Sequence, residues 1–431
     1  MIIVDTALEK REREGKPIRV GIVGAGYMGR GIALQLLAPA CGMRLAAMSN
    51  RTLEKARKVL HEGGIENPKV VSSVRELDRA IASNEPSIAE DPLMICDAGN
   101  IDVVIDATSN TEFGARLVLR AIENGKHVIL LNAVLDATVG PILKSYADRQ
   151  NVVITYIDGD EPGVATNLFR FVKTIGYHPV AAGNFKGLLD PYRTPETQKA
   201  FAERVGQSPA MITSFADGTK LSMECTILGN ATGLRVGKRG MYGPKCAHAN
   251  DAVNLFPTEQ LLNGGLVDFL LGAEPHTGAF VIGYNDRPAN REYMQFFKAG
   301  DGPFYVFYTP YHLPHVQSLT TIARAALFHD ATATPLGRPV CEVLTAAKRD
   351  LKGGEALDGI GGFTCYGVID NSEIVQKENL LPMGLSEGCR LTRDITKDTP
   401  ITFADVELPG NRICDRLYEE QIQHFSVLVN A

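Results

Sequence analysis

The amino-acid sequence predicts an α/β fold: an amino-terminal doubly wound parallel sheet, an α+β central domain and a small carboxyl-terminal β module. Three observations predict it. An apolar run at residues 18–23 leads into a glycine-rich turn and then a helical pattern. Further apolar runs follow in a strand–helix rhythm up to residue 157, and residues 384–408 are short, turn-rich and β-like. The 431 residues are enough for roughly two to four domains.

Composition excludes several classes of partner. The chain has 44 Lys and Arg against 50 Asp and Glu, so its formal charge of −6 offers no surface for nucleic acid or anionic lipid. Its 8 cysteines are scattered without a CxxC pair, which is typical of reduced thiols. No apolar stretch has the length of a signal peptide or a membrane span. We therefore expect a cytoplasmic protein without nucleic-acid or membrane partners. By analogy with its fold class we also expect a homodimer or higher homo-oligomer.

The elements follow in chain order. Residues 5–16 have the composition of a charged helix, which stops at Gly15 and Pro17. Strands of the first domain are predicted at 18–23, 43–48, 70–71, 103–107, 128–131 and 152–157. Residues 75–100 are longer than a plain crossover, so we expect an insertion on the rim. The predicted domains are 1–160, joined by a returning helix near 340–352, then a catalytic domain at 161–330, a return segment at 331–370 and the β module at 371–431.

The glycine-rich turn has the pattern GxGxxG. Gly24 makes the tight turn, Gly26 lets the backbone approach a pyrophosphate, and Gly29 lets the helix pack closely on the strand. Tyr27 and Met28 lie between them, at a helix start whose unpaired N–H groups attract anions. A glycine turn without a ligand is the alternative, but the strands that follow favour a dinucleotide-binding Rossmann domain.

The end of the second strand reports the choice of cofactor. An acidic residue there would hold the ribose hydroxyl of NAD, whereas this chain has Asn50 and Arg51, which suit the 2′-phosphate of NADP(H). Thr108 and Asn132 follow later strands, and Gly163 lies where a nicotinamide ring could approach the backbone. The alternatives are that Arg51 is a solvated helix residue and that the short polar residues serve only in turns.

Three carboxylates, Asp158, Asp160 and Glu161, follow the run at 152–157. Grouped carboxylates repel one another unless a cation neutralises them. That cation would be a divalent metal (Mg²⁺ or Mn²⁺), a lysine or part of a bound substrate. An acidic turn in solvent is the alternative.

Polar residues concentrate again in the central domain. Lys220 and Glu224 are four residues apart, so a helix would place them on one face, and Asp217 would lie one turn earlier. We group these three with Lys186 as candidate catalytic residues, because a lysine near carboxylates can donate a proton to a carbonyl oxygen. Surface ion pairs are the alternative. His312 follows an aromatic strand as a possible acid, base or metal ligand, or as a packed histidine.

The layout resembles the homoserine-dehydrogenase-like NAD(P) oxidoreductases with a carboxyl-terminal SAF-type module, and within them the DXR-like (DRL) reductoisomerases. The resemblance rests on VGIVGAGYMGRGIALQL, IDGDEPGV, SFADGTKLSMECTILGNATG and GLSEGCRLTRDITKDTPITFADVEL, which together span nearly the full chain. It departs from homoserine dehydrogenase proper in having no evident amino-acid-sensing domain.

The resemblance implies an NADPH-dependent, metal-assisted conversion of 1-deoxy-D-xylulose 5-phosphate to 2-C-methyl-D-erythritol 4-phosphate, a step of isoprenoid precursor synthesis. The phosphate would then need a cation, and Arg193 and Lys238 are the candidates, with His312 as a further substrate ligand. Two alternatives stay open. One is a plain dehydrogenase of another small polar substrate, such as homoserine or a sugar acid, and the other is a cofactor-binding sensor without catalysis.

Overall fold

The computed structural model describes residues 3–38 and 41–429, the last three of these by backbone alone. The chain divides into two compact units. The first comprises Met1–Asp160 and Leu313–Thr334, and the second comprises Glu161–His312 and Pro335–Ala431. The first unit is therefore built from two separated stretches of chain.

The first unit is built around a parallel sheet of seven strands in the order β3-β4-β2-β1-β5-β6-β7. The strands are β1 (Ile18–Val23), β2 (Met43–Ser49), β3 (Lys69–Val71), β4 (Ser87–Ala89), β5 (Val103–Asp106), β6 (His127–Leu130) and β7 (Ile154–Tyr156). The central strands are buried apolar runs, as expected when helices cover both faces of a parallel sheet. The predicted doubly wound fold is confirmed.

Helices precede and connect these strands. They are α1 (Ile3–Arg13), α2 (Tyr27–Leu37), α3 (Leu53–Glu62), α4 (Val74–Ala82), α5 (Leu93–Asp97), α6 (Thr111–Glu123) and α7 (Ala133–Arg149). The predicted rim insertion at 75–100 is wrong, because this stretch contains β4, which pairs in parallel with β2 and β3. Three residues are too few for the strand pattern to be recognised in the sequence.

The segment that returns to the first unit is Leu313–Thr334, which carries the helix α14 (Pro314–Phe328). Its far end pairs with the last strand: Tyr156 N donates to Ala333 O at 2.7 Å, and Thr155 Oγ1 donates to the same oxygen at 3.1 Å. The predicted returning helix near 340–352 is wrong. Residues 341–347 are a fully buried strand of the second unit, since their apolar run serves a sheet rather than a helix face.

The second unit contains a mixed sheet of four strands in the order β11-β10-β8-β9. Its strands are β8 (His178–Lys186), β9 (Leu266–Leu271), β10 (Ala279–Tyr284) and β11 (Phe304–Thr309). Its helices up to this point are α8 (Glu161–Thr174), α9 (Pro195–Val205), α10 (Pro209–Ala216), α11 (Thr219–Thr232), α12 (Thr258–Leu262) and α13 (Pro288–Phe296). One apolar core contains residues of α8 and α11 together with residues of β8, β9 and β10.

The carboxyl-terminal part adds small antiparallel sheets to the second unit. The elements are β12 (Cys341–Ala347), β13 (Cys365–Asn371), α15 (Ser372–Lys377), β14 (Arg390–Leu391), β15 (Val406–Glu407) and α16 (Ile413–Val429). β12 pairs with β13 and also forms β-bridges to Pro382 and Pro400. The β-rich tail is therefore joined to the β12–β13 sheet. Among the described helices, none is long and apolar enough to cross a membrane.

Candidate active site

The glycine turn of the first unit lies between β1 and α2, and each glycine has a distinct environment. Gly24 has a φ of +112°, and a β-carbon there would lie 2.5 Å from the Ala107 carbonyl oxygen. A β-carbon at Gly29 would overlap the Gly24 carbonyl oxygen, so the helix packs closely here. At Gly26 a β-carbon would meet nothing within 4 Å. The exposed start of α2, without acidic residues in its first turn, thus suits a dinucleotide phosphate.

The polar residues around this turn divide into two kinds. Asn50 Oδ1 accepts from Ala25 N at 3.0 Å and Asn50 Nδ2 donates to Thr52 O, so this amide fixes the glycine turn. Arg51, beside it, is exposed and free to reach a phosphate. Asn132 donates to Thr108 Oγ1 at 3.3 Å and to the buried Asp106. The exposed ring of Tyr27 and the half-buried Met28 begin α2.

A charged cluster lies in the second unit, and four elements position its members. Glu161 begins α8, Lys186 ends β8, Lys220 and Glu224 lie one turn apart on α11, and His312 follows β11. Because Lys220 and Glu224 are four residues apart on a helix, they face the same way. We call these five residues the lysine–glutamate cluster.

The two lysines bridge the two glutamates. Lys186 Nζ lies 3.0 Å from Glu161 Oε1 and 3.1 Å from Glu224 Oε2. Lys220 Nζ lies 2.6 Å from Glu224 Oε1 and 3.8 Å from Glu161 Oε2. His312 Nε2 lies 3.7 Å from Glu161 Oε2, while its Nδ1 is 2.7 Å from Thr277 Oγ1. The cluster is therefore a closed set of alternating charges with an imidazole at its edge.

Burial and charge together set the protonation of this cluster. Burial disfavours the charged form of Lys186, but Glu161 and Glu224 outweigh it and raise the pKa of Lys186 above its ordinary value. Glu224 is fully buried, whereas the side chains of Lys186 and Lys220 are 18% and 23% exposed. Both lysine side chains are thus partly exposed while their Nζ atoms pair with the buried Glu224. They can donate hydrogen bonds to a substrate oxygen that gains negative charge.

The two aspartates predicted to bind metal with Glu161 belong to the first unit, where each has protein partners. Asp158 Oδ2 accepts from Thr320 Oγ1 at 2.9 Å, and Asp158 Oδ1 accepts from Gly159 N. Asp160 Oδ2 accepts from the hydroxyl of Tyr156 at 2.6 Å. Asp158 therefore ties the end of the sheet to α14.

Four other predicted site residues lie outside the cluster. The prediction that Asp217 shares one helix face with Lys220 and Glu224 is wrong. Asp217 caps the end of α10, and its carboxylate pairs with Lys348 Nζ at 2.9 Å. Arg193 pairs with Asp190 at 2.9 Å. Lys238 lies over the ring of Tyr242, in a loop that runs beside β9. Gly163 is buried in the first turn of α8.

Sequence reasoning missed three residues that the structure connects to this region. Asn184 donates to Glu224 Oε2 at 3.0 Å, and it lies two residues before Lys186 on β8. That spacing puts both side chains on one face of the strand, so the sequence alone could have placed Asn184 beside Lys186. Thr277 and Lys348 had no such signal, since their partners are 35 and 131 residues away.

Two family models match separate parts of the chain. Residues 18–130 match "Oxidoreductase family, NAD-binding Rossmann fold", and residues 159–318 match "Oxidoreductase DRL, catalytic domain". The second match contains every member of the lysine–glutamate cluster. These matches support a nicotinamide cofactor and an oxidoreductase function.

Curated relatives include homoserine dehydrogenases. The protein from Neisseria gonorrhoeae is 28% identical over 224 residues, which are 47% of this chain and 44% of the relative. The protein from Pseudomonas aeruginosa is 27% identical over 225 residues, 49% of this chain and 48% of the relative. The chain thus spans less than half the length of these relatives. A solved homoserine dehydrogenase from Thiobacillus denitrificans aligns with 90% of this chain and 98% of its own, at 15% identity and a TM-score of 0.45.

Proposed function

We propose that this protein is an NADPH-dependent oxidoreductase that reduces a carbonyl group of a small polar substrate. The observation that carries the proposal is the lysine–glutamate cluster, in a chain whose first unit has an open glycine turn at a helix start. Lys186 and Lys220 present charged donors from a largely buried site, which suits the oxygen that becomes an alkoxide as hydride arrives. Glu161 and Glu224 hold the two ammonium groups in place, and Asn184 donates a hydrogen bond to Glu224.

The finer proposal is the reductoisomerase reaction on 1-deoxy-D-xylulose 5-phosphate. It is supported by the family model for the DRL catalytic domain over residues 159–318 and by the motifs that resemble that family. Such a reaction adds a skeletal rearrangement before the reduction. The cluster offers a carboxylate and an imidazole, Glu161 and His312, whose Oε2 and Nε2 atoms lie 3.7 Å apart, a separation that leaves room for one cation in contact with both.

A divalent ion fits this donor set by ligand type. Mn²⁺ accepts both carboxylate oxygen and imidazole nitrogen as ligands, whereas Mg²⁺ prefers oxygen. Glu161 and His312 would be the ligands in the second unit, and a bound ion would polarise the substrate oxygens. Glu161 already carries two ammonium partners, so binding of the ion competes with Lys186 and Lys220 for the same oxygens.

A plain dehydrogenase is the second candidate, because the cluster is already balanced by its own charges and needs no metal for neutrality. The matches to homoserine dehydrogenases support it. It requires hydride transfer and one acid, without rearrangement.

The test measures NADPH oxidation by the full chain with 1-deoxy-D-xylulose 5-phosphate and Mn²⁺ or Mg²⁺, then with EDTA, and in parallel with aspartate semialdehyde. We expect turnover of the sugar phosphate that EDTA abolishes. Turnover that EDTA leaves intact removes the metal from the proposal. Turnover of aspartate semialdehyde alone establishes the dehydrogenase. NADPH binding without turnover of either compound contradicts the reductoisomerase reaction, and absence of turnover in a wider screen of small polar carbonyl substrates favours a sensor.

A further inference from the structure

Lys348 is a buried lysine of the second unit, directly after β12, and its side chain is only 2% exposed. Its ammonium group donates three hydrogen bonds, to Asp217 Oδ2 at 2.9 Å, to the Arg193 carbonyl at 2.8 Å and to the Gly362 carbonyl at 2.9 Å. All three N–H donors of the ammonium are thus used. Each acceptor comes from a different stretch of the chain.

Two of those stretches carry the lysines of the cluster. Asp217 lies three residues before Lys220, and Arg193 lies seven residues after Lys186. Asp217 Oδ1 also accepts from Thr219 N at 2.9 Å, so the carboxylate bound by Lys348 fixes the first turn of α11. Asp190 N donates to Ala216 O at 2.8 Å, which joins the loop after β8 to the end of α10.

The hairpin of β12 and β13 holds the same turn of α11 independently of Lys348. Gly367 N donates to Thr219 Oγ1 at 2.8 Å, and Ser222 Oγ donates to the Gly367 carbonyl at 3.1 Å. Thr219 and Ser222 flank Lys220 in the sequence. The carboxyl-terminal part is therefore hydrogen-bonded to the first turn of α11, and the same turn carries Lys220, which pairs with Glu224.

The loop after β8 has a second attachment to the carboxyl-terminal part. The hydroxyl of Tyr192 donates to Asp398 Oδ2 at 2.9 Å, and the ammonium of Lys397 lies 3.4 Å from the centre of the Tyr192 ring. Tyr366 donates to the other oxygen of Asp398 at 3.1 Å. Both segments next to the cluster are thus held by residues beyond position 340.

From these contacts we infer that Lys348 is a positioning residue for the lysine–glutamate cluster, setting the relative placement of the segments that carry Lys186 and Lys220. The inference rests on the function proposed above for that cluster. A buried ion pair adds little net stability over well-packed apolar residues. A single ammonium, however, donates directed hydrogen bonds to three chain segments and so fixes their relative placement. An apolar side chain makes no such bonds. The match to the DRL catalytic domain ends at residue 318, so this group comes from outside it.

The test measures the chemical reactivity of Lys220 in the full chain and needs no substrate. Limiting reductive methylation with labelled formaldehyde is followed by peptide mass spectrometry over a range of pH, with the exposed Lys298 as internal reference. In Lys348→Met we expect Lys220 to label about tenfold faster at a given pH, because a loosened first turn of α11 releases its amine from Glu224 Oε1 and makes it more accessible to formaldehyde. NADPH affinity should stay unchanged, because the glycine turn that we propose binds NADPH belongs to the first unit.

The matched control is Lys352→Met, which removes a lysine from the same part of the chain but from a surface pair with Asp394, where the lysine side chain is 75% exposed. It should leave Lys220 labelling unchanged. Lys348→Met with Asp217→Asn avoids an unpaired buried carboxylate and covers the case in which the single variant does not fold. Lys220 labelling within about twofold of wild type in either folded variant overturns the proposal. So does failure of both variants to fold, since the pair is then a requirement of folding.

A second readout separates this proposal from the proposed function. If the wild-type chain turns over a substrate, Lys348→Met should lower kcat and leave KM for NADPH unchanged. If no substrate is turned over, the labelling result still decides whether Lys348 positions the cluster.

Discussion

The glycine turn of the first unit and the lysine–glutamate cluster of the second unit satisfy their polar groups in opposite ways. Around the glycine turn, the neutral amide of Asn50 accepts from Ala25 N, that of Asn132 donates to the Asn110 carbonyl, and the approach to Gly26 is open. In the cluster, two lysines and two glutamates neutralise one another. A site formed by backbone N–H groups is ready for an anion at any pH, whereas a site of paired charges depends on every partner being present.

The largest effect is expected in the cluster. Lys186→Met should lower kcat/KM about a thousandfold, the scale of removing a charged donor from a developing alkoxide. NADPH affinity should stay the same, because the glycine turn that we propose binds the dinucleotide phosphates belongs to the first unit. Steady-state kinetics and cofactor titration measure both quantities. Lys173→Met, at an exposed position of α8, is the control. A loss below about threefold contradicts the assignment of Lys186.

Asp136 is a buried acid of α7 in the first unit, and it has no ion-pair partner among the described residues. It therefore contrasts with the paired glutamates of the cluster. Burial raises the pKa of Asp136 to about 7. Since the folded pKa is above the unfolded one, stability falls as pH rises from about 4 to about 7, by at most about 4 kcal/mol. Asp136→Asn should therefore raise the free energy of unfolding at pH 8 more than at pH 5.

Denaturant titration of Asp136→Asn at the two pH values measures this difference. Asp148→Asn is the control on the same helix, since Asp148 is 60% exposed and pairs with Lys144. An equal gain at both pH values would show that Asp136 is not protonated in the fold.

The glycine turn itself yields the next effect. Gly26→Ala places a methyl group in open space with an ordinary φ of −73°, so Tm should not change. NADPH affinity should fall roughly 10- to 100-fold, or about 1.4 to 2.8 kcal/mol, because the methyl group blocks the pyrophosphate. Gly24→Ala is the contrasting variant and should lower Tm, since its φ is positive and the Ala107 carbonyl is close. A Gly26→Ala protein with unchanged affinity would remove the dinucleotide from this turn.

Cofactor choice gives the smallest effect. Arg51→Ala should reduce the preference for NADPH over NADH about tenfold, or ~1.4 kcal/mol, because an exposed guanidinium contributes modestly to phosphate binding. The affinity for NADH should stay the same. Lys58→Ala, at an exposed position of α3, serves as the control. Equal loss of both cofactors would mean that Arg51 does not read the 2′-phosphate.

The two regions also differ in how much the sequence could predict. The glycine turn is six consecutive residues after a strand, so its fold and geometry follow from local pattern. In the cluster, only Lys220 and Glu224 are linked by helical spacing. Lys186 reaches Glu224 across 38 residues and Lys348 reaches Asp217 across 131, and these pairings arise only when the sheet and hairpin pack. Helical spacing therefore misassigned Asp217, whose partner comes from much later in the chain.

The bridge from Tyr156 to Ala333 has a consequence for how the protein is made. A ribosome releases the whole four-stranded sheet of the second unit before residue 333 is synthesised. The outer edge of β7 therefore lacks its Ala333 partner while about 178 residues are translated. An unpaired edge strand invites association with other chains. The newborn amino-terminal half is thus most vulnerable to aggregation during that interval, and it becomes complete only when α14 and the residues after it emerge.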